Sequence, residues 1–203
     1  MRISGWIAAL LLSAASLSAF QARPTLDCND RNFNNRNNRR ISWCEMREQT
    51  LPASGMVTVD GRQNGGVSIR GWERSEVMVR AQVQTSAASE AEARSFAQQV
   101  RVDTAGSQIR ADGPPADGEL QWSVSYEIFV PQRSSVSVRT NNGGISISDV
   151  IGEVEFHAAN GGVSLKRVGG NVRGNTTNGG LHIELDGGRW EGNAWMCRPP
   201  TAE

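Results

Sequence analysis

The residues able to do acid–base or metal chemistry are few in this sequence. It holds only two histidines among 203 residues, His157 and His182. Both alternate with apolar neighbours, which predicts an outward position on a strand for each. General acid–base catalysis and metal ligation require further groups that converge on the histidine, and no such partner recurs at matching positions. We therefore predict no catalytic residue, no metal site and no cofactor site.

Acidic residues in the C-terminal part could line one side of a β structure: Asp149, Glu153, Glu155, Glu184 and Asp186. Such rows are found in parallel β-helix polysaccharide lyases and in calcium-binding repeats. Calcium repeats place Asp at every turn, whereas the turns here carry Asn-Gly-Gly. No nucleophile elbow or phosphate loop is present, because the glycine pairs end strands instead of opening helices. A carbohydrate-active enzyme on a β-helix scaffold is the alternative function.

Three tryptophans could contribute to sugar binding if they are exposed: Trp72, Trp122 and Trp190. Large aromatic side chains more often fill a core or cover its end. We therefore expect these rings to pack inside the protein or at the end of its core.

The cysteine count is odd. Cys28, Cys44 and Cys197 leave one thiol without an intrachain partner if the chain is exported. A disulfide between Cys28 and Cys44 would contribute about 3 kcal/mol in the chain-entropy model, and we predict this pair. The alternative, three reduced thiols, fits an oxidising compartment less well. Cysteines with no nearby histidine do not supply a zinc site.

Residues 1–22 read MRISGWIAALLLSAASLSAFQA, a positive start followed by a short apolar run and small residues. This pattern predicts a secretory signal peptide, and the apolar run is shorter than the roughly 20 residues that a membrane span requires. Ser16 and Ser18 suggest cleavage just after them, with Ala19 and Ala22 as alternatives. We expect an exported protein of the periplasm or cell surface, with no membrane span after cleavage.

Composition excludes one class of partner. Lys+Arg and Asp+Glu number 21 each, so there is no net charge to attract nucleic acid. Residues 23–50 are rich in Asn and Arg and are predicted to form an irregular tether, in which only Phe33 and Trp43 could stack on bases. The 22 glycines favour short strands and tight turns.

Residues 51–192 are predicted to form one β-repeat domain. The segments MVTVD, GGVSIRG, EVMVRAQVQ, VRVDTA, SQIRAD and QWSVSYEIFVP alternate as half-buried strands do. Residues 87–100 contain strong helix formers and predict one inserted helix, with Ser86 or Ser89 as its cap. Four apolar residues are expected to share its buried side: Ala91, Phe96, Ala97 and Val100.

An internal repeat of constant length carries the fold prediction. It places Asn-Gly-Gly at Asn142, Gly143 and Gly144, at Asn160, Gly161 and Gly162, and at Asn178, Gly179 and Gly180. In the same register Ile145, Val163 and Leu181 coincide. Each unit cannot bury its apolar face alone, so stacking is expected. We predict an all-β fold, a β-solenoid of 18-residue repeats with an N-terminal strand region and one short inserted helix. Hairpins in an antiparallel sandwich are the alternative.

The same corner occurs upstream at residues 64–66, which predicts an atypical first rung or a cap. From Cys44 to Trp190 the sequence resembles bacterial exported β-strand-repeat domains of unknown function, labelled putative adhesins. The resemblance rests on CEMRE, VDGRQNGGVSIRGW, SEAEAR, YEIFVP, the NGG repeats and RWEG. It implies a surface or periplasmic domain, a non-catalytic scaffold or adhesion module whose partner is an unidentified protein or glycan. It supplies no catalytic residues.

Residues 193–203 depart from that family as an atypical tail. In the family, a segment like RWEG is followed by a strand of the type Leu-Asp-Val-x-Thr-Thr-Asn-Gly-Gly, whereas here the sequence reads NAWMCRPPTAE. If the codons that encode this tail are read two bases out of phase, they can encode the strand that is typical of the family. We hypothesise a frameshift, in which case Cys197 is no functional site. Resequencing of the locus tests this, and an alternate frame without further Asn-Gly-Gly units would refute it.

Overall fold

The computed structural model describes residues 24–28, 40–62, 64–116 and 119–184, together with the backbone of Met196 and Cys197. The predicted signal peptide lies outside the described residues. So do most of the segment between Cys28 and Cys44 and the rest of the predicted tail.

The described chain is predominantly β. Its elements are β1 (Ile41–Pro52), β2 (Met56–Asp60), β3 (Val67–Trp72), β4 (Glu76–Ala87), α1 (Glu90–Gln99), β5 (Arg101–Asp103), a 3₁₀ turn (Ala105–Ser107), β6 (Gln108–Asp112), β7 (Gln121–Pro131), β8 (Ser135–Thr140), β9 (Ile145–Ser148), β10 (Ile151–Ala158), β11 (Val163–Lys166), β12 (Gly169–Thr176), β13 (Leu181–Glu184) and β14 (Met196–Cys197). No helix in these described ranges is long and apolar enough to cross a membrane.

The strands form two sheets of mixed direction. Sheet A has the order β1-β4-β7-β3-β9-β11-β13, and sheet B has the order β14-β12-β10-β8-β2-β6-β5. The pairs β1–β4, β4–β7 and β5–β6 are antiparallel. The remaining pairs are parallel. The core lies between the two sheets and consists mainly of Val and Ile side chains at alternating strand positions, together with Ala, Leu, Tyr and Phe.

Between β8 and β13, neighbouring parallel strands are offset by the 18 residues of the sequence repeat. Val136, Val154 and Val172 are partners across β8, β10 and β12. Ile145, Val163 and Leu181 are partners across β9, β11 and β13, and all six side chains belong to the core or pack against it. Each Asn-Gly-Gly corner connects a strand of sheet B to a strand of sheet A, so none of the three is a hairpin turn. Strands β2 and β3 join the same rows beside β8 and β9.

Close contact between corners explains the first glycine of each Asn-Gly-Gly. A Cβ atom added to Gly161 would lie 2.2 Å from the carbonyl oxygen of Gly143, and one added to Gly179 would lie 2.1 Å from that of Gly161. The second glycine is less crowded, since a Cβ on Gly162 would lie 3.5 Å from the oxygen of Gly180. Only the first glycine is therefore required by contact with the preceding corner.

The corner asparagines form a ladder of side-chain amides. The Nδ2 of Asn142 donates to the Oδ1 of Asn64 at 3.3 Å, and Asn160 and Asn178 each donate to the preceding amide at 2.9 Å. Asn64 and Asn142 also form a parallel backbone bridge. The upstream corner is thus continuous with the other three.

Helix α1 begins after Ser89, whose hydroxyl accepts a hydrogen bond from the Glu92 N–H at 3.2 Å. Its buried residues are Ala93, Phe96 and Ala97. Ala91, which was expected on this face, is exposed. The helical period explains the difference, because residue 93 lies three and four positions before the two other buried residues.

The tether predicted over residues 23–50 is wrong at its C-terminal end, where residues 41–50 belong to β1. The side chains of this strand that face α1 are largely polar, so apolar alternation is missing. Arg47 is ion-paired with Glu45 and donates to the carbonyl oxygens of Ala97 and Val100 at the end of the helix. Arg47 thus adds a second donor to the Ala97 carbonyl, which also accepts from the Val100 N–H at 3.1 Å, and supplies a donor to the Val100 carbonyl at the end of the helix.

Strand β14 also departs from expectation. Met196 and Cys197 pair in parallel with Arg173 and Gly174 of β12, at an offset that differs from the repeat length. The tail, which was predicted to lack strand character, therefore adds a short strand to sheet B.

Candidate functional site

Sheet B turns a regular array of polar side chains away from the core. Two rows of residues, each paired strand to strand across β6, β2, β8, β10 and β12, define what we call the polar face: Gln108, Thr58, Ser137, Glu155 and Arg173 in one row, and Arg110, Asp60, Arg139, His157 and Asn175 in the other. All ten are exposed or half-buried. Five strands about 4.8 Å apart make each row about 19 Å long.

Two carboxylates on this sheet, those of Glu153 and Glu155, are ion-paired. Arg173 contacts Glu153 at 2.7 Å and Glu155 at 2.5 Å through Nη2. The hydrogen bond from Arg173 lowers the pKa of Glu155, with further help from the charges of Arg173 and Arg139. A glycosidase acid needs a raised pKa to hold its proton. Glu155 is instead stabilised in its deprotonated, charged form.

The second row contains His157 and also Arg139, whose guanidinium forms no ion pair within the described chain. The Nδ1 of His157 lies 2.7 Å from the Oδ1 of Asn175. An amide oxygen only accepts, so Nδ1 carries the proton and a neutral ring would present Nε2 as an acceptor. The Arg139 carbonyl accepts from the Gly61 N–H at 2.8 Å, whereas its guanidinium forms no hydrogen bond or ion pair with other described residues. With Ser137 these side chains line an open groove of about 420 Å³.

The acidic residues and histidines singled out in the sequence do not converge on a catalytic centre. Asp149 pairs with Arg167 at 2.6 Å and Glu184 lies 3.7 Å from Lys166, while Asp186 is outside the described ranges. The exposed His157 and His182 stand on different sheets. Within the part of the chain that the structure describes, no three His, Cys, Asp or Glu residues are grouped so as to hold a metal ion.

A short N-terminal strap, residues 24–28, crosses the outer side of sheet A. Cys28 is joined to Cys44 of β1 by a disulfide bond. The backbone N–H and the hydroxyl of Thr25 both donate to Glu127 at 2.8 Å, and the Leu26 N–H donates at 3.2 Å. The strap is therefore attached to the folded domain by covalent and polar contacts.

Glu127 is only 1% exposed and also pairs with Arg80, which in turn binds Glu48 at 2.7 Å. Burial alone would raise the pKa of Glu127, but the hydrogen bonds from Thr25, Leu26 and Arg80 outweigh it and lower the pKa. Sequence analysis missed this group. A lone Glu within the apolar run of YEIFVP was the available signal.

The tryptophans behave differently from one another. Trp72 is 7% exposed and donates its indole N–H to the Glu76 carbonyl at 2.8 Å, and its ring packs tilted against Phe129 with the ring centroids 5.4 Å apart. Trp122 is half-buried, packs against the core and donates to the Pro114 carbonyl at 2.9 Å. Trp190 lies outside the described residues.

No protein-family model matches the sequence. No curated protein matches it either. Among solved structures, a putative cell adhesion protein from Clostridium sporogenes aligns with TM-score 0.40 and 11% identity over 70% of this chain and 73% of its own. A putative lipid binding protein from Parabacteroides distasonis gives TM-score 0.40 and 10% identity over 69% and 59%. A putative adhesin from the same organism gives 0.37 and 7% over 68% and 70%. Similarities this distant carry no inference about ligand or activity.

Proposed function

We propose that this chain is a non-catalytic binding module of the bacterial cell envelope and that the polar face of sheet B is its interaction surface. The observation that carries the proposal is the in-register array of ten polar side chains across five strands. Planar guanidinium, amide and carboxylate groups at regular spacing suit hydrogen bonding to an extended partner, a protein or a glycan.

The module is proposed to be a β-solenoid from β8 to β13, with β2 and β3 as its first rung. Parallel pairing at an offset of 18 residues supports this, as does the continuous amide ladder along one corner. Strands β1, β4 and β7 would then close sheet A on its antiparallel side, and α1 would cover the polar inner surface of β1.

Export to the periplasm or cell surface is part of the proposal. It rests on the expected signal peptide at residues 1–22 and on the disulfide between Cys28 and Cys44, because disulfides persist in oxidising compartments.

Arg139 and His157 are the groups through which the face would engage a partner. Arg139 has no ion pair in the described chain, whereas Arg173 is already held by two carboxylates. A ligand that brings acceptor oxygens to Arg139 breaks no ion pair formed among the described residues. Binding there therefore avoids the cost of separating a formed pair.

The proposal is tested with purified protein on a glycan array and on fixed bacterial cells. The double variant Arg139→Ala/His157→Ala should lose at least about tenfold in binding, equivalent to about 1.4 kcal/mol. The matched variant Lys166→Ala/His182→Ala removes the same residue classes from sheet A and should bind normally. Equal binding of acidic glycans and of fixed cells by both variants would exclude the polar face as the interaction surface.

The competing function, a carbohydrate-active enzyme, makes a different prediction. With Glu153 and Glu155 held by Arg173, we expect no hydrolysis or elimination across a polysaccharide panel assayed for reducing ends and unsaturated products. Activity that disappears in Glu155→Gln would overturn the non-catalytic proposal.

A further inference from the structure

We propose that a cavity beside Trp122 binds a neutral saccharide, at a site separate from the polar face. The cavity has a volume of about 400 Å³ and lies where the backbone around Gly61 and Arg62 meets the segment from Ala111 to Ala116. Its wall combines an indole ring and two prolines with three polar side chains, those of Arg62, Asn64 and Asp112. An apolar lining with a few convergent polar groups is the usual composition of small-molecule sites.

Trp122 is placed to act as the platform. Its indole N–H is already bonded to the Pro114 carbonyl, which fixes the side chain. A second cavity, of about 450 Å³, shares Asn64, Ala116 and Trp122 with the first. The C–H face of a sugar ring packs well on the electron-rich face of an aromatic ring. Gly113 and the core cover part of the ring, and the part that lines the two cavities can serve a chain of two or three sugar units that spans them.

The polar groups offer donors and acceptors side by side. Arg62 has a left-handed backbone with φ of 55°, and its N–H bonds Asp60 at 2.9 Å. Its guanidinium bonds the Ala111 carbonyl and one oxygen of Asp112, each at 3.2 Å. The second Asp112 oxygen accepts no hydrogen bond from the described residues and remains available to a hydroxyl group.

Asn64 supplies the donor. It ends the amide ladder, because its Oδ1 accepts from Asn142 while its Nδ2 has no acceptor among the described residues. Asn64 lines both cavities. A sugar hydroxyl is both donor and acceptor, so neighbouring hydroxyls can bond Asn64 and Asp112 together.

Charge balance favours a neutral ligand. Arg62 and Asp112 are ion-paired at 3.2 Å, and no other described residue lining the first cavity is charged. The described lining of the second cavity carries no charged residue. A uronic acid would therefore meet no unpaired cation here, unlike at Arg139.

The test is calorimetric titration of the purified protein with maltotriose, cellotriose and triacetylchitotriose, with trigalacturonate as the charged comparison. At least one neutral trisaccharide should bind, and trigalacturonate should not compete with it. Trp122→Ala should weaken that binding at least about tenfold and Asn64→Ala about fivefold. Asn178→Ala removes the same amide from the other end of the ladder and should leave the affinity unchanged.

Three results would overturn the proposal: no binding of any neutral trisaccharide, competition by trigalacturonate, or equal affinity of Asn64→Ala and Asn178→Ala. If Trp122→Ala fails to fold, Asn64→Ala and Asp112→Asn decide the question alone. These outcomes are separable from the fate of the polar face, because Arg139→Ala/His157→Ala should not change trisaccharide binding at the cavity.

Discussion

Gly161→Ala tests the stacking of the corners most directly. The added Cβ would lie 2.2 Å from the Gly143 carbonyl oxygen, whereas real Cβ atoms essentially never come closer than 3.0 Å to another heavy atom. Both contacting groups belong to backbones that are held in parallel ladders, so neither yields without loss of hydrogen bonds. Overpacking of this kind costs about 1–3 kcal/mol. For a chain of this size that corresponds to a fall in Tm of about 2–12 °C.

Gly162→Ala is the matched control in the same corner. Its Cβ would be 3.5 Å from the Gly180 oxygen, and neither glycine has a positive φ. Both substitutions reduce the entropy of the unfolded chain equally, so their difference reports the contact alone. Thermal unfolding followed by circular dichroism measures it. Equal melting temperatures would refute the proposed corner packing.

Three further outcomes are expected. Tyr126→Phe should leave the free energy of unfolding in urea unchanged or raise it by up to about 1 kcal/mol, because the buried hydroxyl has no hydrogen-bond partner among the described residues. A clear loss of stability would show that the hydroxyl does have a hydrogen-bond partner. The pKa of Glu127 is lowered in the folded state, so its stabilising contribution should be complete above about pH 4.3 and decline as the pH falls toward the folded-state value. That decline should be smaller in Glu127→Gln, and an identical pH profile would contradict the assignment. Cys28→Ser/Cys44→Ser should lower the free energy of unfolding by about 3 kcal/mol and speed hydrogen exchange at the Thr25 and Leu26 amides. If these amides stay protected, the polar contacts hold the strap without the disulfide.

The sequence predicted strand pairing best from β8 to β13, where neighbouring parallel strands are offset by 18 residues. A constant repeat length specifies which side chains become neighbours, because matching aliphatic residues must share one interior. The pairing of Ile145 with Val163 follows that period. The insertion of β7 between β4 and β3 does not, since alternation identifies the buried face of a strand but not its neighbour. Strand β1 lacked even that signal, because Arg47 replaces apolar packing with hydrogen bonds to α1.

For the polar face, too, one feature could be predicted from the sequence and another could not. An outward position for His157 follows from alternation within one strand, and the structure places it there. The proposed binding role of Arg139 depends on the fact that its neighbour Arg173 is already ion-paired with carboxylates. Ion pairs between strands cannot be predicted from the local sequence. The cavity at Trp122 is harder still to foresee. Asn64 and Trp122 are distant in sequence and meet only because β3 and β7 are adjacent in sheet A.

The strap connects the fold to the proposed export. Glu127 is buried with its carboxylate bonded to Thr25 and Leu26, and a buried carboxylate stripped of such donors would be costly. Cleavage at any of the predicted positions up to Ala22 leaves these donors in the mature chain. Cys28 then holds them near Glu127 once the thiols are oxidised. If the chain is exported as proposed, disulfide formation would complete the attachment of this segment to the folded domain.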